Sequence, residues 1–222
     1  ATHHQKIANF TLAHPDNQEI LKILKEKGQN EEIDKLISPG KKKRKIIDEL
    51  AYLEGSLLDD YLNDMAIAQQ FAQDNRKAML DAIVEAADLT PADAFDSVHN
   101  FIDIPNGIIR KGATSAQQGE RLIIPLNMRD GSLICTGKGN EDWNYSAPHG
   151  AGRVMSRTQA KKSIDVKRFM ASMKGVYSSS VGSKTLDESP FVYKTAEDII
   201  SRIDDTVEIA HWIRPLYNFK AN

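Results

Sequence analysis

A change of periodicity near residue 95 constrains this fold more than any other feature of the 222-residue chain. Upstream, Leu58, Leu62, Met65, Ala68, Ala72, Met79, Ile83 and Ala86 recur at helical spacing. That spacing predicts one long amphipathic helix over 56–87, with these side chains as its buried stripe. Ser56, with Asp59 three residues on, suits an N-terminal cap, and Leu89-Thr-Pro-Ala ends the element. Downstream, short β-like runs cover 97–103, 107–111, 121–126 and 132–136, separated by turns bearing Gly, Asn or Asp. Helix first and strands afterwards argue for an α+β fold, with a mixed or antiparallel sheet and helices packed against it. The expected organisation is a helical region 1–92 and a sheet region 93–222, as a single domain or as the C-terminal part of a larger one.

The flanks follow the same logic. Ile20, Leu21, Ile23 and Leu24, after Asp16-Asn17, predict a short helix that Gly28 stops. Residues 156–173 predict a helix that packs Ala160, Ile164, Phe169 and Met173. Thr195 caps a further helix to 203, and 207–220 reads as an aromatic strand with Trp212, Tyr217 and Phe219. His3 and His4 are adjacent, so they diverge on any regular element and read as solvated surface. Ser38-Pro-Gly-Lys-Lys-Lys-Arg44 reads as a solvated loop, with a nuclear address or a phosphate contact as the alternatives.

Composition excludes several classes. A net charge of −2 gives no global attraction to nucleic acid, so a polyanion site has to be a local basic patch. No apolar run reaches membrane-span length, and no membrane partner is expected. The single Cys135 leaves no internal disulfide, which fits a reducing, cytoplasmic setting.

The chemistry concentrates in Tyr145-Ser-Ala-Pro-His149-Gly-Ala-Gly-Arg153-Val-Met-Ser-Arg157. Gly150 and Gly152 permit close approach of a ligand to the backbone. They read as a loop feeding a helix start, whose free N–H groups attract an anion. Arg153 and Arg157 would share a face of that helix. Imidazole, amide N–H and guanidinium together suit phosphate chemistry; a glycine-rich turn with a structural histidine is the competing reading.

Smaller pieces add to this. His99-Asn100 on a strand offers a metal ligand or a packed histidine. Arg110-Lys111-Gly-Ala-Thr-Ser115 offers a phosphate contact or a charged strand end. Gly131 to Gly139 fails as a Walker A loop: five residues separate its glycines, and Gly139 stands where Ser or Thr binds magnesium. Tyr193-Lys194, after Asp187-Glu188-Ser-Pro, sets an aromatic beside a cation.

In order and spacing, over about 120 residues, these pieces resemble the RtcB family of GTP-dependent RNA-splicing ligases. The matching strings are His99-Asn100, Arg110-Lys-Gly-Ala-Thr-Ser-Ala116, Ile123-Ile-Pro125, Gly139-Asn140 and His149-Gly-Ala-Gly-Arg-Val-Met-Ser-Arg157. Asp187-Glu-Ser-Pro, Tyr193-Lys194 and Lys220 complete them. The resemblance implies that His149 attacks the α-phosphate of GTP and carries the guanylate as a phosphoramidate. An RNA 3′-phosphate, formed where necessary from a 2′,3′-cyclic phosphate, then takes the guanylate, and a 5′-hydroxyl displaces GMP. Manganese is the cofactor that the resemblance implies, with tRNA splicing or RNA repair as the setting.

Carried over by position, His99 matches a metal ligand abutting the nucleotide, and Asn100 a GMP contact. Pro125, Leu126, Asn127, Met128 and Ser132 match the nucleotide loop. His149, Gly150, Ala151 and Gly152 match the guanylylated loop. Tyr193 matches an aromatic beside guanine, and Lys220 a lysine on the base. Arg153, Arg157 and Lys111 are candidates for RNA or phosphate contacts. Where the family's loop reads Pro-Gly-Ser-Met-Gly, this chain reads Pro125-Leu-Asn-Met-Arg129. That departure keeps open a non-catalytic nucleotide- or RNA-binding module on the same scaffold. The family's upstream aspartate, cysteine and two further histidines have no counterpart, so an N-terminal segment of the same protein is expected to complete the metal site.

Overall fold

The computed structural model describes residues 2–13, 18–37, 52–218 and 220. The basic run 38–44, the Asp16-Asn17 start and Phe219 lie outside them. The chain divides into two compact units, one up to Leu89 and one from Thr90.

The first unit is helical. It contains α1 (Thr2–Ala13), α2 (Gln18–Glu26), α3 (Asn30–Ile37) and the 32-residue α4 (Gly55–Ala86). Helix α2 ends before Gly28, as the sequence predicts. Its core among the described residues is small: Ile7, Leu21, Ile33 and Leu57, with Leu24 and Leu53 against them. The expected stripe along α4 is not buried. Leu57 is its only buried residue, while Leu58, Met79 and Ile83 are exposed. Periodicity establishes an amphipathic helix, but burial needs a surface to cover the stripe. In the described part of this unit, α1 and α2 meet the start of α4, through Leu57 in the core and through Asp60, Tyr61 and Asp64. The N-cap is Glu54 rather than Ser56, and it makes no side-chain cap bond.

His4 is not a surface residue. It is 6% exposed, bonds Asp64 Oδ2 through Nε2 at 2.7 Å, and meets Tyr61 edge-on.

The second unit carries β1 (Asn100–Asp103), β2 (Ile108–Lys111), β3 (Ala113–Ser115), β4 (Arg121–Asn127), β5 (Gly131–Gly137), β6 (Ser146–Pro148) and β7 (Val207–Ile213). Every pairing of these strands is antiparallel: β1 with β2, β3 with β6, and a three-stranded sheet ordered β4-β5-β7. Alternation on β4 sends Leu122, Ile124 and Leu126 inward. On β5 it sends Leu133 and Cys135 to the same core, where Ala196, Ile199 and Ile203 pack. At about 25 cal/mol per Å² of apolar area, this burial outweighs any single polar contact in the unit. The segment once comparable to a Walker loop is strand β5. Strand β7 ends at Ile213, short of the expected 220, as Pro215 has no N–H for a ladder.

The helix expected over 156–173 is two helices. Helix α5 (Arg157–Ser163) is capped by Ser156, and α6 (Val166–Ser172) by Asp165, whose side chain accepts from Arg168 N. A second cap inside the stretch breaks the helix. Phe169 and Met173 then join Met128 and Leu186 in a separate core. Helix α7 (Ala196–Ile200) starts at Thr195 in a capping box with Asp198.

Candidate active site

His149 follows directly on β6, whose Pro148 pairs with Ala113 of β3. That pairing sets the imidazole against Gly112, the joint between β2 and β3. Nδ1–H of His149 donates to the Gly112 carbonyl at 2.5 Å. A carbonyl only accepts, so in the neutral ring the proton sits on Nδ1 and Nε2 keeps its lone pair. Gly112 is held in turn. Its N–H is shared between the His99 carbonyl at 2.9 Å and Asn100 Oδ1 at 2.8 Å. With φ at +70°, Gly112 has a conformation that a larger residue adopts only under strain. The His99 ring stacks on His149, 4.8 Å between centroids and 17° from parallel.

The histidine loop does not feed a helix. Gly150 sits against β4, where Ala151 N bonds the Pro125 carbonyl at 3.0 Å. A β-carbon on Gly150 would stand 3.0 Å from that oxygen, so its bare backbone makes room for the chain itself. Val154 N bonds Val192 O at 2.8 Å, and Lys194 N bonds Gly152 O at 3.1 Å. These bonds tie 152–154 to the segment 192–194, and Arg153 pairs with Tyr193 in an isolated bridge. The helix starts only at Arg157, so Arg153 and Arg157 do not share a helix face. The anion-binding helix start expected at Gly150 is absent.

A cavity of about 570 Å³ opens here. His149, Gly150, Ala151 and Gly152 line one side, and Pro125, Leu126, Asn127, Met128 and Ser132 another. Arg153, Arg157, Tyr193 and Lys220 also line it. His99, Asn100 and Lys111 are not among its lining residues; His99 reaches it through the His149 ring. Leu126 and Met128 are at the same time buried in the two cores of this unit. Asn127 is committed to the turn, where Oδ1 accepts from Arg129 N and Asp130 N and the amide donates to Asp130.

Glu188 gathers the cations. Tyr193 Oη donates to Glu188 Oε2 at 3.0 Å, Lys220 Nζ lies 3.3 Å from the same oxygen, and Arg153 lies 3.8 Å from Oε1. Arg153 also donates to the Asp187 carbonyl at 2.6 Å. Burial, then the Glu188 carboxylate, pushes the Tyr193 phenol above its ordinary value, so it remains a donor. The Asp187-Glu188 pair was visible in sequence, but the role of Glu188 was not. Arg214 and Asn218 also line the cavity and carry no sequence signal. Arg110, by contrast, is buried and paired with Asp103 at 2.9 Å, so it is structural. Cys135 is buried, and burial pushes its thiol up to about 11, which rules it out as a nucleophile near neutrality.

A model of the family described as tRNA-splicing ligase RtcB matches residues 18–221. The chain belongs to the RtcB family. It is 35% identical over 185 residues to RNA-splicing ligase RtcB of Escherichia coli K12, covering 75% of this chain and 45% of that protein. It is 29% identical over 189 residues to tRNA-splicing ligase RtcB of Aeropyrum pernix, covering 68% of this chain and 38% of that protein. The chain thus spans less than half the length of these RtcB relatives.

The metal ligand expected at His99 has too few companions. Among the described residues, no group of three or more His, Cys, Asp and Glu side chains is placed to hold a metal. Here His99 faces a ring rather than a set of ligands. No helix among the described residues is long and apolar enough to cross a membrane.

Proposed function

We propose that this chain is the guanylate-accepting part of a GTP-dependent RNA ligase. The observation that carries the reading is the His149 imidazole, bound through Nδ1–H to a backbone carbonyl at the wall of a cation-lined cavity. Nε2 attacks the α-phosphorus of GTP; a P–N bond forms, the bond to the bridging oxygen breaks, and pyrophosphate leaves with that electron pair. An oxygen of an RNA 3′-phosphate then attacks the same phosphorus, and the P–N bond breaks. The resulting RNA end carries GMP in a phosphoanhydride. A 5′-hydroxyl attacks the RNA phosphorus, loses its proton, and GMP departs. A 2′,3′-cyclic phosphate enters after hydrolysis to the 3′-phosphate.

The residues have separate tasks. Gly112 and Asn100 hold the nucleophile's tautomer. Arg153, Arg157 and Lys220 offer charge to phosphoryl oxygens as they gain negative charge. Tyr193 offers an aromatic face and a hydroxyl donor. Manganese would supply further charge neutralisation. With too few donors among the described residues, no step above runs through it. A reducing, cytoplasmic location belongs to the same reading.

The test is labelling with GTP radioactive at the α-phosphate, in the presence of manganese, with the upstream part of the protein supplied. Acid-labile, base-stable label on wild type and none on His149→Ala is the expected result. Label that persists in His149→Ala sinks the proposal. A second reading, a nucleotide- or RNA-binding module without catalysis, draws on the loop Leu126-Asn-Met-Arg129. Its side chains serve the turn and the cores, and Arg129 pairs with Asp130 at 2.7 Å. GMP binding without covalent label would favour it.

A further inference from the structure

A second cavity, about 480 Å³, lies behind the strand that presents His149. Gly112 and Pro148, which respectively bond and precede that histidine, are both in its wall. Among the described residues its lining contains three cations, Arg110, Lys111 and Arg202, and no carboxylate. Arg110 is already neutralised by Asp103. Lys111 and Arg202 have no ion pair among the described residues, and both side chains are exposed. The fourth feature is Trp143. It closes a single 3-10 turn, Glu141–Trp143, pinned where the Asn140 side chain accepts from Asp142 N. Its indole is 58% exposed although it lines the cavity. An exposed aromatic beside unpaired cations matches the way single-stranded nucleic acids are bound, by base stacking and phosphate contact.

We infer that this cavity is a nucleotide subsite for single-stranded RNA, with Trp143 stacking a base and Lys111 and Arg202 holding adjacent phosphates. The inference rests on the ligase reading for its setting, because it places an RNA strand next to the His149 loop. Its chemistry is independent of that reading, since neither Trp143 nor Arg202 lines the guanylate cavity. Stacking tolerates any base, so the subsite would grip an RNA end without reading its sequence.

The experiment is fluorescence anisotropy of the full chain with a dye-labelled single-stranded RNA pentanucleotide bearing a 5′-hydroxyl. Stacking of about 1–3 kcal/mol per base predicts roughly tenfold weaker binding for Trp143→Ala. Trp143→Phe should keep most of the affinity. Arg202→Ala should lower the slope of log affinity against log salt by about 0.7, one phosphate contact on a single strand. Unchanged affinity in Trp143→Ala, or an equal loss in Trp143→Phe, overturns the stacking role. If Trp143→Ala does not fold, Trp143→Phe and the salt slope of Arg202→Ala decide; an unchanged slope overturns the phosphate contact. Guanylylation of the wild type without RNA is scored separately. Label with no effect of Trp143 on RNA binding removes this subsite and keeps the ligase reading. RNA binding that depends on Trp143, without label, does the reverse.

Discussion

Two histidines, one in each unit, are each fixed by one short hydrogen bond, and they end in different surroundings. His4 in the helical unit gives Nε2 to the Asp64 carboxylate at 2.7 Å and is hemmed in by Tyr61 at 5.0 Å. His149 in the sheet unit gives Nδ1 to a carbonyl and stands in a cavity wall. A backbone acceptor is set by the strand pairing around it, so it holds a ring more rigidly than an exposed carboxylate does. The wider surroundings differ likewise. The described core of the helical unit is a cluster of four hydrophobic residues, whereas the sheet unit has clusters of twelve and of four. Chemistry that depends on fixed distances belongs on the better-packed scaffold.

The largest effect that would sharpen this contrast is on guanylylation. His149→Ala should abolish label and His4→Ala should leave it, measured with α-labelled GTP. Equal loss in both would break the contrast. Next comes packing. Phe169 is fully buried, so Phe169→Ala should cost about 3–5 kcal/mol in urea denaturation. The acid response follows. The Arg129 side chain, and then Asn127, hold the Asp130 carboxyl below its ordinary value despite its burial. Its folded value is depressed, so its stabilisation is complete above about pH 4 and is lost as pH falls through the folded value. Asp130→Asn should therefore flatten the fall in stability below pH 4, read from denaturation midpoints. Thr195→Ala removes the α7 cap and should cost about 1 kcal/mol. Smallest is Ile83→Ala on α4. At 62% exposure it should shift stability by less than about 0.5 kcal/mol. A cost above 2 kcal/mol would show that the α4 stripe is covered in solution.

Much of the site was legible because its residues lie in short strings. His149 to Gly152 and Pro125 to Ser132 are contiguous segments, and each brings its neighbours into the cavity with it. Glu188 was illegible as an anchor because its partners Arg153, Tyr193 and Lys220 come from three places in the chain. The misjudged helix start after Gly150 has a similar origin. The bonds that hold 152–154 out of a helix go to residues 192 and 194, about forty positions away. The break between α5 and α6 was legible in Asp165, a good cap that the periodic apolar residues masked.

Local pattern was enough for the α+β order, the helix α4, and the caps at Thr195 and Gly28. Those depend on interactions within a few residues, which spacing and residue type encode directly. The tertiary structure alone decided that the described part of the helical unit leaves most of the α4 stripe exposed, that Arg110 is structural, and that Nδ1 of His149 carries the proton. Each of these turns on a partner, present or lacking, that only the folding of distant segments can bring into contact.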